Sequence, residues 1–169
     1  MSDVLARWNG LRSDEAAEEI LSCCGSNSWA YGMAARRPIV DETGLLTACD
    51  QVWKSLAESD WMEAFRSHPR IGESPSPAVP TQSANWSKEE QRRVGASAED
   101  VKVALAEWNR TYERRFNRIF IVCAAGKAAT EILEILRRRV RNEAAAELIE
   151  AAEQQRLITH LRLKKWLSR

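Results

Sequence analysis

The chain has 169 residues, of which 44% are hydrophobic and 29% are charged. This length and apolar content are enough for one domain with a buried core, and they exclude a disordered polar chain. The formal net charge is only +1, so no overall field favours nucleic acid or a strongly acidic partner. No apolar run approaches the ~20 residues that a membrane helix needs, which predicts no membrane partner.

Four cysteines occur without the paired spacing of a zinc site. The two histidines, His68 and His160, are far apart in sequence and do not complete such a site. We therefore predict no metal, and we interpret the cysteines as buried free thiols in a reducing compartment. The start of the chain lacks the pattern of a signal peptide, so the predicted location is cytoplasmic.

Apolar residues at helical spacing dominate the first part of the chain. They predict two short helices within 3–24, a third over 29–36 and a longer one over 42–58. Gly25 is expected to end the second helix. The next helix runs into His68, where Pro69 ends or bends it, because a residue that precedes proline is disfavoured in the α region.

The second part of the chain begins with a proline-containing stretch, 72–82, which predicts an internal loop. Helices are then expected over about 87–95, 98–117, 119–141 and 143–167. The apolar run 119–123 resembles a strand, but a lone strand has no partner, so we interpret it as the buried start of a helix. The prediction is an all-α, single-domain helical bundle of about seven to eight helices over residues 1–169.

His68 is the first candidate for chemistry. Histidine titrates near neutrality and is the usual proton shuttle in enzymes. Its place at a helix end, beside Pro69, is expected to turn the side chain toward the following loop. The competing structural interpretation is a histidine that interacts favourably with the carboxyl end of a helix. From this residue alone the structural interpretation is favoured.

Ser87, Glu90 and Gln91 are the second candidates, because their spacing places them on one face of a helical turn. The competing interpretation is a capping box, in which Ser87 and Glu90 satisfy each other's backbone N–H groups. The direction of the Glu90 carboxylate distinguishes the two, since catalysis requires it to point toward His68. A third group, the basic clusters toward the carboxyl end, suggests a nucleic-acid module, but the net charge argues against that partner.

Three motifs occur in a fixed order: His68-Pro69-x-Ile71-Gly72, Ser87-x-x-Glu90-Gln91 and Phe120-Ile121-Val122-Cys123-Ala124-x-Gly126-Lys127. Together they resemble the 2-oxo-4-hydroxy-4-carboxy-5-ureidoimidazoline (OHCU) decarboxylases of purine catabolism. Trp29, Arg37-Pro38 and the final helix are also similar to that family, so the resemblance covers most of the chain. One departure is Phe116-Asn117-Arg118, where the family often has Phe-Gly-Phe.

The resemblance implies an all-α decarboxylase that needs no cofactor, converts the ureidoimidazoline to (S)-allantoin and forms a homodimer. It assigns His68 as the catalytic acid or base and places Glu90 in a segment that binds substrate. Because a neighbouring carboxylate favours the imidazolium, Glu90 is also expected to orient His68 as a second catalytic residue. The resemblance assigns substrate binding to these residues: Pro69, Ser87, Gln91, Phe120, Ile121, Val122, Cys123 and Ala124. Backbone N–H groups at the helix start expected near 120–124 are suited to hold an oxyanion. The alternative is a catalytically silent helical interaction domain of the same shape.

Overall fold

The computed structural model describes residues 2–73, 81–95 and 98–169, which form ten α-helices and no β-strand. The all-α class is confirmed, but the predicted number of about seven to eight helices is too low. The single helix predicted over 87–95, for example, corresponds to two helices, Thr81–Glu90 and Arg92–Gly95. The helices are α1 (Asp3–Asn9), α2 (Ser13–Cys24), α3 (Asn27–Ala34), α4 (Glu42–Ser55), α5 (Glu58–Arg66), α6 (Thr81–Glu90), α7 (Arg92–Gly95), α8 (Glu99–Phe116), α9 (Ala129–Arg139) and α10 (Ala144–Leu167). Within the described ranges, no helix is both long and apolar enough to cross a membrane.

One compact unit comprises residues 1–64 and 156–169. Its core contains Trp8 and Trp166, two buried rings that meet edge to face with centroids 5.6 Å apart. Arg37 Nη1 donates hydrogen bonds to the carbonyl oxygens of Trp8, at 2.7 Å, and Leu11, at 2.8 Å. The last carbonyls of a helix lack partners inside it, so Arg37 stabilises the end of α1. As predicted, Gly25 ends α2, and all four cysteines are buried and free.

The second compact unit comprises residues 65–155. Its apolar core comes mainly from α8, α9 and the segment between them, and consists of Ile71, Val94, Leu105, Tyr112, Phe116, Phe120, Val122, Ala124, Ala129, Ile132, Leu133 and Leu136. Ile71 belongs to the loop after α5 and is buried in this cluster. Full burial of such a side chain stabilises by about 1.5–3 kcal/mol, so the core anchors that loop.

The segment between α8 and α9 differs from the prediction. Phe120 to Ala124 are buried but not helical, and α9 begins only at Ala129. The predicted helix is therefore wrong over 119–128, and so is the helix start expected to hold an oxyanion near 120–124. Side chains from elsewhere satisfy this backbone: Arg139 Nη1 donates to the Ile121 carbonyl at 2.6 Å. Because buried backbone groups need partners, such bonds allow an apolar run to stay outside regular structure.

The start of α6 also differs from the prediction. The helix spans Thr81–Glu90, so the predicted start at 87 and the predicted loop end at 82 are both wrong, while residues 74–80 of that loop lie outside the described residues. Ser87 lies in the helix interior, where its carbonyl accepts a bond from the Gln91 N–H at 3.0 Å. Ser87 is therefore not an N-cap, and the capping-box interpretation is excluded.

Candidate active site

The loop that carries His68, residues 67–73, is called the histidine loop below. Hydrogen bonds at two positions join this loop to α8. Arg70 Nε donates to Glu113 Oε1 at 2.6 Å, and Asn109 Nδ2 donates to the Ile71 carbonyl at 3.3 Å. Asn109 and Glu113 are one turn apart, so a single face of α8 receives both contacts. Together with the buried Ile71 side chain, these bonds give the histidine loop a defined position.

Gly72 allows the histidine loop to turn. Its φ angle is +87°, a conformation that residues with a Cβ rarely adopt. The backbone N–H that this turn exposes donates to Gln91 Oε1 at 2.9 Å. The bond joins the histidine loop to the residue that follows α6, and so brings two of the predicted motifs together.

A hydrogen bond joins His68 to Gln155, a residue of α10. The distance between His68 Nε2 and Gln155 Oε1 is 2.7 Å. Gln155 is fully buried, whereas the His68 side chain is half-buried. Gln155 was not among the predicted site residues, because two consecutive glutamines in a helix usually indicate a solvated face. A signal did exist: position 155 falls between Ala151 and Ile158 on the buried face of α10.

A cavity of about 300 Å³ lies beside the histidine loop, a volume at the lower end of the range for small-molecule sites. The residues around it are Pro69, Gly72, Glu73, Ser87, Lys88, Gln91, Arg92 and Gly95. Three of these, Pro69, Ser87 and Gln91, are predicted substrate-binding residues. Lys88 and Arg92 were not predicted; they are exposed, belong to α6 and α7 respectively, and give the cavity two cations.

Glu90, the second predicted catalytic residue, is the last residue of α6 and is half-buried. Its orientation of His68 stays a prediction. The predicted backbone contacts at 120–124 also stay a prediction, but several backbone groups there, including both of those of Cys123, are already bonded within the protein. The Cys123 N–H donates to Gln154 Oε1 at 2.9 Å, and the Cys123 carbonyl accepts from Lys127 Nζ at 2.8 Å.

A buried ion pair supports the segment that contains Phe120. Arg139 and Glu147 have fully buried side chains and a closest N–O distance of 2.6 Å. Tyr112 Oη and Asn142 Nδ2 also donate to the Glu147 carboxylate. Burial, together with the bond to Glu147, raises the pKa of Tyr112. Arg139 lies over the Phe120 ring at 4.6 Å. Because desolvation of two charges is costly, the additional hydrogen bonds are what make this pair tolerable in a core.

One group of metal-ligand side chains lies within the described residues, in the first compact unit. Cys49, Asp50 and His160 place their ligand atoms within 4.8 Å of one another. Arg156 Nη1 donates to Asp50 at 3.0 Å, and His160 Nε2 lies 2.7 Å from the same carboxylate. Burial favours a raised pKa for Asp50, but these two bonds outweigh it and lower the pKa. Burial raises the pKa of the Cys49 thiol, so a neutral thiol beside an engaged carboxylate fits an ion cluster better than a metal site.

Comparison with known proteins shows the family. Residues 9–164 match the model for the OHCU decarboxylase family. The chain therefore belongs to the OHCU decarboxylase family. It is 38% identical over 147 residues to the "Uric acid degradation bifunctional protein TTL" of Arabidopsis thaliana, covering 86% of this chain and 45% of that protein. It is 22% identical over 160 residues to the "Uric acid degradation bifunctional protein" of Bacillus sp. (strain TB-90), covering 90% and 31%. The chain thus spans less than half the length of these two curated relatives.

Solved structures show the same fold. The chain is similar to a crystal structure of "OHCU decarboxylase in the presence of (S)-allantoin", with a TM-score of 0.77 and 32% identity, over 90% of this chain and 99% of that one. It is also similar to a crystal structure of "(S)-allantoin synthase", with a TM-score of 0.72 over 96% of this chain and 53% of that one. Since the second identity is only 16%, that likeness shows the fold alone. The family resemblance found in the motifs is confirmed.

Proposed function

We propose that this chain decarboxylates 2-oxo-4-hydroxy-4-carboxy-5-ureidoimidazoline to (S)-allantoin in urate degradation. One observation carries the proposal. Residues from two separate family motifs, Pro69 from one and Ser87 and Gln91 from the other, line a single cavity, and His68 directly precedes Pro69. A cavity lined by residues of both motifs also argues against the catalytically silent alternative, which does not require one.

The reaction needs little beyond a held substrate and one proton. The substrate carboxylate is attached to a ring carbon beside an unsaturated, electron-accepting group. When carbon dioxide leaves, the ring delocalises the remaining electron pair, so the proposal includes no cofactor as an electron sink. The enzyme has to hold the carboxylate out of the ring plane and deliver a proton to one face. A positioned histidine is suited to this delivery, and His68 is the proposed acid.

The proposed binding roles follow from the polar atoms that each residue offers. Gln91 Oε1 accepts the Gly72 N–H, so Nε2 of the same amide is the proposed donor to a substrate carbonyl. Ser87 is proposed to bind the ureido edge and Pro69 to contact the ring. The backbone of Phe120–Ala124 is proposed to complete the site. Glu90 is proposed to orient His68, because a neighbouring carboxylate favours the imidazolium.

The cations Lys88 and Arg92 suit the change of charge in this reaction. The substrate carries a carboxylate, whereas allantoin is neutral. Cationic side chains around a cavity raise the local concentration of an anion and have no comparable attraction for a neutral molecule. We propose that these two side chains favour substrate entry and leave product release unhindered. Glu73, which also lines the cavity, offsets part of this field.

The test is an assay with freshly generated substrate, in which circular dichroism follows the (S)-allantoin formed. His68→Asn is expected to lower turnover by about 10²–10⁴-fold, the usual contribution of a positioned acid or base, with an unchanged helical spectrum. His160→Asn is the matched control. His160, the other histidine, lies in the Asp50 cluster, so its substitution is expected to leave turnover unchanged. A wild-type protein that fails to exceed the spontaneous rate refutes the proposed activity, and a His68→Asn variant with near-normal turnover refutes His68 as the acid.

Four further properties are proposed. The family resemblance supports a homodimer, which light scattering tests. The four buried free thiols support a reducing, cytoplasmic location, which fractionation of the source cells tests.

A single domain over residues 1–169 is tested by one cooperative unfolding transition that different probes report identically. The near-zero net charge supports the absence of a nucleic-acid partner, and salt-dependent retention on DNA would contradict it.

A further inference from the structure

The bond between His68 and Gln155 joins the candidate acid of the histidine loop to a buried side chain. Gln155 Oε1 lies 2.7 Å from His68 Nε2, and no part of Gln155 is accessible to solvent. A buried amide is costly unless its polar atoms are hydrogen-bonded. Both residues belong to the unit formed by residues 65–155. The bond therefore fixes the orientation of the imidazole ring relative to a buried side chain of α10.

The chemistry of the two partners decides where the ring proton lies. An amide oxygen only accepts hydrogen bonds, so the hydrogen between the two side chains belongs to His68 Nε2. A neutral imidazole carries one N–H, and its other nitrogen holds a lone pair. With Nε2 protonated, the lone pair of the neutral ring is on Nδ1. In the imidazolium, Nδ1 is the nitrogen that loses its proton without breaking the bond to Gln155.

We propose that Gln155 is a positioning residue that fixes the Nε2–H tautomer of His68, so that Nδ1 is the atom that exchanges a proton with the substrate. This inference rests on the proposed function. In the reaction, the bond from the ring carbon to the carboxylate breaks and its electron pair stays in the ring. The proton on Nδ1 then forms the new C–H bond. His68 is left neutral and takes its next proton from water.

A neutral partner suits this role better than a charged one. With Glu90 already proposed as a carboxylate neighbour, a second carboxylate at position 155 would hold the ring proton more tightly and weaken the ring as an acid, whereas an amide orients the ring without adding further charge. The adjacent Gln154 provides a contrast, because its Oε1 accepts the Cys123 N–H instead. Neighbouring positions on a helix point about 100° apart, which explains why two consecutive glutamines have different partners.

The experiment uses the full-length protein with ¹⁵N-labelled histidine, whose spectrum distinguishes the two imidazole tautomers. Only two histidines are present, and His160→Asn assigns their signals. The expected result is the Nε2–H tautomer for His68 in the wild type. Gln155→Met keeps the side-chain length and removes the hydrogen-bond acceptor. It is expected to give a mixture of His68 tautomers. Because a misplaced proton weakens general acid catalysis, it is also expected to lower kcat at least about tenfold, with little change in KM. Gln155→Glu restores an oxygen acceptor and is expected to keep the Nε2–H form.

Gln154→Met serves as the matched contrast and is expected to leave the tautomer of His68 unchanged. The inference is overturned if wild-type His68 carries its proton on Nδ1, or if Gln155→Met retains both the wild-type tautomer and the wild-type kcat. Should Gln155→Met fail to fold, the wild-type spectrum and the Gln155→Glu variant still decide the question. Wild-type turnover is measured in parallel: its absence refutes the decarboxylase and the exchange with substrate, whereas the spectrum alone reports the bond.

Discussion

The backbone N–H of Gly72 donates a hydrogen bond to the side-chain oxygen of Gln91, over 2.9 Å. Both residues line the same cavity, and they come from two motifs that are separated in sequence. The histidine loop and the residue after α6 therefore share one contact at the site. The position of His68 consequently depends on a backbone turn as well as on side-chain packing.

Gly72→Ala tests that turn. Within the part of the chain that the structure describes, a Cβ at position 72 meets no atom within 4 Å, so the expected cost comes from the φ angle of +87°. A left-handed conformation costs an L-residue roughly 1–2 kcal/mol, and we expect that loss in the free energy of unfolding, together with a higher KM. Denaturant unfolding and steady-state kinetics measure the two effects.

The control for the loss of stability is Gly95→Ala, whose added Cβ also meets no atom of the described residues within 4 Å but which has no positive φ angle. Because Gly95 ends the short helix α7, alanine there is expected to be neutral or to stabilise by up to ~1 kcal/mol. Equal losses in the two variants would contradict the explanation from the turn.

Glu90→Gln separates catalysis from helix stability. Since α6 begins at Thr81, Glu90 lies at the end of the helix and has no capping role at its start. We expect the free energy of unfolding to stay within ~0.5 kcal/mol, the usual range for a substitution without such a role, while turnover falls. The neighbouring exposed variant, Glu89→Gln, makes the same charge change. A loss of more than ~0.5 kcal/mol with normal turnover would instead indicate a structural role for the carboxylate and contradict the proposed one.

Lys88→Gln and Arg92→Gln test the attraction of an anionic substrate. Each is expected to lower kcat/KM, to weaken its dependence on salt and to change kcat little. Assays at low salt and at ~1 M salt, where the Debye length falls to about 3 Å, measure the effect. Arg93→Gln is the control, because that arginine donates to the Gly126 carbonyl at 2.6 Å and does not line the cavity. An identical salt dependence in all four proteins would refute the steering.

Arg139→Met tests the buried ion pair. The substitution leaves the Glu147 carboxylate buried without its cationic partner, which typically costs about 3–5 kcal/mol. The double variant with Glu147→Leu is expected to recover much of that loss, because it removes the unpaired charge. Thermal and denaturant unfolding provide the measurement. If the double variant is less stable than Arg139→Met, the unpaired carboxylate is not the cause.

Helices with a clear apolar stripe were predicted well from the sequence. The prediction for α8, 98–117, agrees with Glu99–Phe116 to within a residue at each end. Asn117 ends this helix in the left-handed region, with φ of 54°. Both signals are local, since they depend only on spacing within the helix and on the residue at its end. The three motifs were likewise visible from their order along the chain.

The errors arose where distant residues decide local structure. The apolar run at 120–124 stays outside a helix because Arg139 and Gln154 satisfy its backbone, and neither bond leaves a trace in the run itself. In α6, the weak helix formers after Thr81 hid the helix start, and the burial of Ser83 and Trp86 outweighs their propensity. Gln155 was missed for the same reason, since it lies 87 positions from His68 along the chain.

Two consecutive residues of α10, Gln154 and Gln155, hold the segment at Cys123 and the ring of His68. A slight rotation of this one helix about its axis would displace together His68, the proposed acid, and the segment around Cys123, which is proposed to bind substrate. Substitutions on the packed face of α10 can therefore alter turnover without touching the ligand. Selection for activity is thus expected to act on residues that an inspection of the cavity alone would pass over.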